Sequence, residues 1–575
     1  MINLNVQRWE DLGQQLETVI AAYLDASIVL ESSPPSDSTS VCDLVRRVEH
    51  RLDSYSSLLS ERLASARLSI TRTRNRLVSP VHRLPDEVLL KIMRIAIYSI
   101  DVKEPRQLSC EYTVRTIYRR LHAFIGVCSV WRRVGLDSNF WSVVPILDHP
   151  SGRYMTTAAQ LSLERAANRH LHLVACLNTS RPDIKDFVIS TISQHGRQFD
   201  TINIYSDSNG PLFQIIDELM SSIPSERSSI KNLLLYYFIS VDRRVPDSFV
   251  GTFEPITHPT RDRRLKFERL MESLQVLHMC GVLVPFEGLS FRNLVQLKLQ
   301  AMRLTSNLVF ESSIRALASA PNLQKLDIIS VSLEIWTTED GFMDGPPIIL
   351  PSLQHLYFEG VTALLLQLTL RLISPGSHLV TVNWTKKGHQ SMQWNPASFF
   401  SSEIDSHHLK VDILLINGDT LGQSDNMIRA ALEAFPTIKT LHLDSFLVNS
   451  GLLGELVSNT EAHESNDSES HTHSSQFPKL KTLYISRSHV HDPEVLRDIS
   501  KVVANHPLEE LGIGISLDCM CSPLVPSHED SQDALESEVG AIWNTLAGVV
   551  PRMKLLPAKA SEISSIAFEN HVWQL

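Results

Sequence analysis

The 575-residue chain is sparing with cysteine, has no long uninterrupted apolar run and carries no excess of basic residues. Each shortage excludes something. The seven cysteines (Cys42, Cys110, Cys128, Cys176, Cys280, Cys519 and Cys521) are scattered and odd in number. They do not make the paired framework of a disulfide-stapled secreted domain, so reduced thiols are expected, mostly buried as small hydrophobes. The most apolar stretches, Val19–Leu30 and Val361–Ile373, are interrupted by Asp25 and by Gln367 and Arg371. Both are too short to cross a bilayer, and no membrane partner is expected. Met1–Leu12 lacks the basic flank and apolar core of an export signal, which with the thiols points to the cytoplasm, the nucleus or both. The formal charge of −11 disfavours a protein whose main task is gripping phosphates, so no nucleic acid partner is expected either. Residues 41–80, with eight Arg against four acidic residues, are a local exception.

Signatures of catalysis are missing too. There is no G-x-S-x-G, H-E-x-x-H, P-loop or C-x-x-C. Gly512 and Gly514 form a lone G-x-G with no third glycine, which suits a strand or turn. His463, His471 and His473 lie in a polar stretch with no preformed geometry, and Cys519 and Cys521 have no partner ligands nearby. No metal, no cofactor and no catalytic residue is therefore expected.

What the chain does have is a globular composition, 43% hydrophobic and 20% charged, and enough length for two or three structural units. Residues 1–30 have a helical pattern, and Glu31–Ser40 is a Pro/Ser linker. A second helix is expected over about Val41–Leu77. Its apolar residues Leu44, Val48, Leu52, Tyr55, Leu59, Leu63, Ala66 and Ile70 recur at steps of three and four and share one stripe. The opposite face is rich in Arg. Two readings stay open for this helix: a coiled-coil or partner-binding element, or a long helix packed on its own domain. Ser79-Pro80 ends it, because proline cannot continue a helix.

From Asp183 onward, helix-like and strand-like stretches alternate. Eleven strand-like stretches share one shape: apolar, two variable, apolar, one variable, apolar. They are Phe199/Ile202/Ile204, Ile230/Leu233/Leu235, Leu274/Leu277/Met279, Leu294/Leu297/Leu299, Leu323/Leu326/Ile328, Leu353/Leu356/Phe358, Leu379/Val382/Trp384, Val411/Leu414/Ile416, Ile438/Leu441/Leu443, Leu480/Leu483/Ile485 and Leu508/Leu511/Ile513. This is the L-x-x-L-x-L shape of leucine-rich repeats, one short strand plus a helical return per unit. The Asn or Cys usual after the motif is mostly missing, and the spacing is uneven, so an irregular solenoid is expected over residues 199–520. Residues 458–476, polar and Ser-rich, should be a disordered insertion. Residues 146–198 connect to the repeats as an α/β segment. In the tail, residues 521–575, Leu535, Val539, Ile542, Trp543 and Leu546 should form a helix capping the open end. In each repeat the residue between the last two apolar positions should point outward on the concave face. Asn203, His278, Lys298, Asp327, Tyr357, His442 and Tyr484 are those residues, and collectively they make a candidate substrate-recruiting surface. Taken singly, each is better read as an ordinary exposed strand residue.

The most informative segment lies at residues 80–145. Leu84-Pro85-Asp86-Glu87 has the composition of a helix start, with proline at the first position and acids in the first turn. Val88, Leu89, Ile92, Met93, Ala96 and Ile97 give that helix a broad apolar face. A second helix, about Leu121–Val134, carries Leu121, Phe124, Ile125, Val127, Cys128 and Trp131, and Phe140-Trp141 follow. The combination Leu84, Pro85, Glu87, then Val127-Cys128, Trp131-Arg132 and a closing Trp141 resembles the F-box family. The resemblance covers about 60 of the 575 residues. Residues Tyr98–Tyr118 depart from it by lengthening the link between the two helical parts. The preceding helix and Ser-Pro also resemble the lead-in of many fungal F-box proteins.

The resemblance implies a three-helix module that docks on a Skp-type adaptor and through it reaches a cullin/RING ligase. Leu84, Pro85, Leu89, Ile92, Val127, Cys128 and Trp131 are the candidate docking residues. For Cys128 and Trp131 a place in the module's own core is an equal alternative. The surplus of apolar surface in so short a unit fits a docking role. The expected whole is a multi-domain α/β protein: N-terminal helices (1–40 with the linker, then 41–79), a helical module and an irregular α/β repeat array. Its expected role is a non-catalytic substrate-recognition adaptor of a ubiquitin ligase, binding an unknown protein substrate. A Skp-binding scaffold without degradation is the alternative.

Overall fold

In the computed structural model the described residues are 2–32, 38–78, 81, 84–99, 110–147, 155–166, 169–177, 182–222, 229–237, 261–282, 284, 286–304, 306–333, 345–384, 410–418, 427–457, 477–490, 495, 497–517 and 545–556. Residues 33–37 of the linker expected over Glu31–Ser40, Ser79-Pro80, the insertion at 458–476 and most of the expected capping helix lie outside them, while the linker's ends, 31–32 and 38–40, are helical. His463, His471, His473, Cys519 and Cys521 also lie outside the described residues. The chain falls into two compact units, Met1–Leu89 and Leu90–Leu575.

The first unit holds two long helices, α1 (Ile2–Ser32) and α2 (Ser38–Val78), close to the bounds the periodicity predicts. Among the described side chains, large apolar residues from Leu4 to Leu30 and from Leu44 to Val78 are exposed.

Helix α3 (Asp86–Tyr98) begins in the last residues of the first unit and continues into the second. The second helix expected over Leu121–Val134 is in fact two. Helix α4 spans Cys110–Val127, and α5 spans Ser129–Gly135. Part of the unexplained extension is thus the first turns of α4, with Val114 and Ile117 buried. The break comes at Cys128, whose extended backbone ends one helix and whose thiol accepts the Trp131 N–H at 3.5 Å to cap the next. A 3-10 turn (Ser138–Trp141) then feeds β1 (Val143–Ile146).

The rest is mixed α/β, dominated by one open sheet of fourteen strands. After β1 come α6 (Met155–Arg165), β2 (Leu171–Leu177), α7 (Pro182–His195), β3 (Phe199–Ser206), α8 (Asn209–Ser222) and β4 (Asn232–Tyr237). Next are α9 (Arg261–Ser273), β5 (Val276–Cys280), β6 (Gln296–Gln300), α10 (Asn307–Ala316), β8 (Lys325–Ile329), β10 (His355–Glu359), α11 (Ala363–Leu372) and β11 (Leu379–Trp384). The series ends with β12 (Ile413–Asn417), α12 (Met427–Ala434), β13 (Thr440–Asp444), α13 (Ser450–Glu455), β14 (Thr482–Val490), α14 (Asp498–Asn505), β15 (Glu510–Leu517) and β16 (Arg552–Leu555). Two short strands, β7 (Arg303–Leu304) and β9 (Ser332–Leu333), pair beside the main sheet. The main strands follow one another in chain order, and every pairing is parallel. At about 4.8 Å per strand the sheet is roughly 60 Å wide. It starts earlier than the repeat pattern predicts, since β1 and β2 already belong to it, and the described tail is an edge strand.

All eleven sequence matches are strands of this sheet, and their apolar positions form continuous rows. One row runs Ile202, Leu233, Leu277, Leu297, Leu326, Leu356, Val380. The next runs Ile204, Leu235, Met279, Leu299, Ile328, Phe358, Val382, Leu414, Leu441, Leu483, Leu511. The motif slips once against these rows. Val382 is the second apolar residue of its match, yet it pairs with Phe358, the third of its own. A two-residue slip preserves the side-chain face, whereas a one-residue slip would reverse it. Both rows enter one core with helix residues such as Val188, Leu212, Phe310 and Leu365.

Each of several strands ends on a left-handed corner. Gly281, Ala301, Ser330 and Gly360 stand at equivalent places with φ of 67°, 49°, 51° and 57°, and Ser445 repeats the corner at 59°. The corner N–H donates to the next strand: Gly281 to Gln300 O at 2.9 Å, Ala301 to Ile329 O at 2.8 Å, Ser330 to Glu359 O at 2.7 Å. This hydrogen bond holds the corner even where the residue has a Cβ and the conformation costs about 1–2 kcal/mol. Gly281 has a second reason to be glycine, because a Cβ there would collide with the Tyr237 carbonyl. Ala301→Gly should therefore raise stability by up to about 1 kcal/mol and Gly281→Ala lower it by more than about 1 kcal/mol, read as a rise and a fall in the thermal midpoint. Shifts of the same sign in the two variants would contradict this account of the corners.

Candidate functional site

The candidate site residues fall on two surfaces: the helical module around α3–α5 and the sheet face turned away from the main core.

Pro85 is exposed and Leu84 half-buried. The Pro85 carbonyl accepts the N–H groups of Val88 and Leu89, both at 3.1 Å, so proline stands just before the first helical residue rather than on it. The broad apolar face of α3 divides in two. Leu89, Met93 and Ile97, four residues apart, are buried. Val88, Ile92 and Ile95 lie on the adjacent strip and are exposed, Ile92 by 44% and Ile95 by 60%. Sequence reasoning passed over Ile95, although it sits three residues from Ile92 and seven from Val88, on one helical face. Val127, at the end of α4, is 60% exposed. Trp131 is half-buried and stacks on Phe124, with ring centroids 5.0 Å apart and 22° between planes. Of the candidate docking residues, Leu89 thus faces inward, Cys128 caps a helix, and Ile92 and Val127 present apolar surface.

Trp141 fixes this module to the start of the sheet. It is fully buried, and its Nε1–H donates to the Gly135 carbonyl at 3.1 Å. The Arg165 guanidinium of α6 lies 4.2 Å from its ring centroid, and Tyr118 and His122 of α4 meet it edge-on. Tyr118 also donates its hydroxyl to the Val143 carbonyl at 2.6 Å. Arg120 joins α4 to α3 by donating to the Ala96 carbonyl at 2.9 Å. Tyr98 and Tyr118 are buried enough that their hydroxyls are held protonated, with the pKa of Tyr98 pushed up to about 12.

The seven residues expected to point outward from the repeats do sit on the face away from the main core. They do not form one row, and most are not solvent-exposed. Asn203, His278, Lys298, Asp327 and Tyr357 share one row through the sheet. His442 and Tyr484 stand in the neighbouring row, a consequence of the slip at β11. Asn203, His278, Lys298, Asp327, Tyr357 and His442 are buried, and Tyr484 is half-buried. Alternation predicts which face a side chain takes. It does not predict how crowded that face is, and parallel strands about 4.8 Å apart bring their side chains shoulder to shoulder.

This crowding shapes the electrostatics. His278 is 1% exposed, and neither ring nitrogen has a hydrogen-bond partner. Burial first, then the charges of Lys298 and Lys325, push its pKa down to about 3. Burial also lowers Lys298 to about 8, against the attraction of Asp327. Asp327 is shifted up by burial while Lys325, at 3.3 Å, opposes the shift. Its Oδ1 has no partner. Tyr357 donates to Glu359 at 2.8 Å and is pushed up by burial and that carboxylate.

A trough of about 560 Å³ crosses this face from Lys325 and Asp327, past Tyr357 and Ile413, to His442 and Tyr484. Its volume is in the range that accepts a ligand or a few peptide residues. At its far end His442 Nε2 lies 2.8 Å from Ser486 Oγ, and Ser486 donates to Asp444 at 2.7 Å. Ser, His and Asp thus meet, but in the wrong order for a nucleophile. The serine is fully buried, and its proton faces a carboxylate already paired with Arg487 rather than a base. Among the described residues no group of three or more His, Cys, Asp or Glu side chains is placed to hold a metal ion. No helix there is long and apolar enough to cross a membrane.

No protein-family model and no curated protein sequence matches this chain.

The buried, unpartnered imidazole gives a pH test. Its folded pKa lies below its unfolded value of about 6.5, so the unfolded chain binds the extra proton as pH falls. Stability contributed by the neutral ring is complete above pH 6.5 and is lost progressively towards pH 3. Thermal midpoints of the wild type should fall more steeply between pH 6.5 and 4 than those of His278→Leu. Parallel pH profiles would show that this ring is not the buried neutral group described.

Proposed function

We propose that this protein is a substrate-recognition adaptor of a cullin-based ubiquitin ligase. In this reading residues 80–145 are an F-box that docks on a Skp-type adaptor. The parallel sheet with its helical returns is an irregular leucine-rich-repeat array whose trough-bearing face recruits a protein target. The observation that carries the proposal is the exposed apolar strip of α3, Val88, Ile92 and Ile95, directly following Leu84-Pro85-Asp86-Glu87. An isolated exposed leucine needs no explanation. Three branched apolar side chains on one helical face, with Val127 at the end of the next helix, suit a protein partner. The half-buried Trp131–Phe124 stack supplies the kind of aromatic anchor that dominates such interfaces.

Chemistry in this reading belongs to the E2 and RING partners. The adaptor contributes proximity, raising the effective concentration of a target lysine near activated ubiquitin. The left-handed corner that recurs after five of the strands supports the repeat reading. It stands one residue before the place of the missing Asn or Cys, and a backbone hydrogen bond to the next strand does the joining there.

The test is co-purification of the full chain with a Skp-type adaptor and a cullin. Wild type should recover both. Two variants, one carrying Leu84→Ala with Pro85→Ala and one carrying Ile92→Glu with Ile95→Glu, should lose adaptor capture. The second should lose at least about 2 kcal/mol of binding, or roughly thirty-fold. Hydrogen exchange in the sheet should be unchanged in both. If wild type recovers no adaptor, the docking assignment fails. If it recovers adaptor but never cullin, a non-degradative Skp-binding scaffold is the better account.

A further inference from the structure

The first unit leaves a large apolar surface that adaptor docking and target recruitment do not use. Helix α1 carries Trp9, Leu12, Leu16, Val19 and Tyr23 at alternating steps of three and four, which is one continuous seam. Trp9 is 51% exposed, and the other four are exposed as well. Helix α2 carries its own seam of Leu44, Val48, Leu52, Tyr55, Leu59 and Leu63, all exposed, with Leu52 at 62%. The two seams do not cover each other within the chain, although only residues 33–37 separate the helices. Helices of 31 and 41 residues, about 46 and 61 Å long, carry far more than stray surface apolar residues.

The charges say what fits each seam. Helix α1 has one Arg against five carboxylates, a net −4. Helix α2 has eight Arg against four carboxylates, a net +4. An occupant for α1 has to be a long helix with an apolar stripe and a basic flank, and α2 answers that description. An occupant for α2 has to be long, striped and acidic, as α1 is. Near the junction of the two helices is a cleft of about 580 Å³ with Leu30, Leu44 and Val48 on its walls and Arg46, Arg47 and Arg51 around them. That cleft suits the acidic first half of α1, with Glu10, Asp11 and Glu17, from another molecule.

We propose that the protein forms a two-fold dimer in which α1 of each copy packs on α2 of the other. One rotation satisfies both seams at once, since the surface is self-complementary: acidic on basic twice over. The dimer presents two copies of whatever the second unit binds, so a target with two recognition segments would be held by avidity.

A charge-swap experiment tests the pairing, with the full-length chain followed by light scattering after size exclusion. Wild type should elute at twice the chain mass. A variant reversed on α1 (Glu10→Lys, Asp11→Lys, Glu17→Lys) and one reversed on α2 (Arg46→Glu, Arg47→Glu, Arg51→Glu) should each be monomeric at concentrations where wild type is dimeric. Mixed in equal amounts, the two should restore a heterodimer, because each reversed helix then meets a reversed partner. The substituted positions are exposed, so the helical circular dichroism of both variants should match that of wild type. A monomeric wild type overturns the proposal, as do dimers of unaltered affinity for both variants or failure of the mixture to rescue. Assembly beyond two copies overturns the two-fold arrangement.

Discussion

The second unit depends on one constraint: in a parallel ladder every strand must keep the same alternation, because side chains reverse face with each residue. The fourteen strands obey it apart from one-residue bulges at the start of the β2–β3 pairing and between Ile485 and Ser488 of β14, both outside the stretches that carry the apolar rows. The apolar rows from Ile202 to Val380 and from Ile204 to Leu511 hold one face to the helices without a gap. Burying one such aliphatic side chain is worth about 1.5–3 kcal/mol. That outweighs the about 1–2 kcal/mol that a non-glycine left-handed corner costs at Ala301, Ser330 or Ser445. The corners are tolerated because they turn the chain out of one strand while keeping the rows aligned. The slip at β11 is tolerated because it is two residues long.

The other face inherits whatever alternates with those rows. In this chain it is a crowded polar face, with a neutral imidazole at His278, a lysine and an aspartate side by side at Lys298 and Asp327, and a hydroxyl–carboxylate pair at Tyr357 and Glu359. Groups buried this way are specific: they favour partners that supply the missing hydrogen bonds and penalise partners that do not. Asp327 Oδ1 is such a group at the edge of the trough. Lys325 and Lys298 already offset the charge of this carboxylate, so an uncharged donor such as an amide suits it better than a further cation.

Much of this was legible in the sequence, for physical reasons. Eleven strands could be found because period-two alternation with a fixed apolar triplet leaves little else for the chain to do. The long N-terminal helices and the split between α3 and the later helices were visible in the 3.6-residue period. What was not legible depends on tertiary contact. Strand β1 carries the triplet as Trp141/Val144/Ile146, masked because Trp141 also closes the helical module, and β2 has His170 where the first apolar residue would stand; pairing of β1 with β2 and of β2 with β3 places both in the sheet. The break at Cys128 is a cap, and a thiol is a weak enough acceptor that sequence gives no warning of it. The anchoring of Trp141 by Arg165 and Tyr118 joins residues 23 to 24 positions apart. Burial of His278, Lys298 and Asp327 is a property of the assembled row, which no single repeat contains. The division of the α3 apolar face into Leu89, Met93 and Ile97 against Val88, Ile92 and Ile95 likewise needed the packed helices.

The adaptor account turns on where a Skp-type protein would touch this chain. Hydrogen exchange of the full-length chain, read by mass spectrometry with and without a purified Skp-type adaptor, addresses this directly. The account predicts slowed exchange in peptides from α3 and from the α4–α5 junction, with the sheet from β3 to β15 unchanged. Protection confined to the sheet, or no protection anywhere at saturating adaptor, would contradict it.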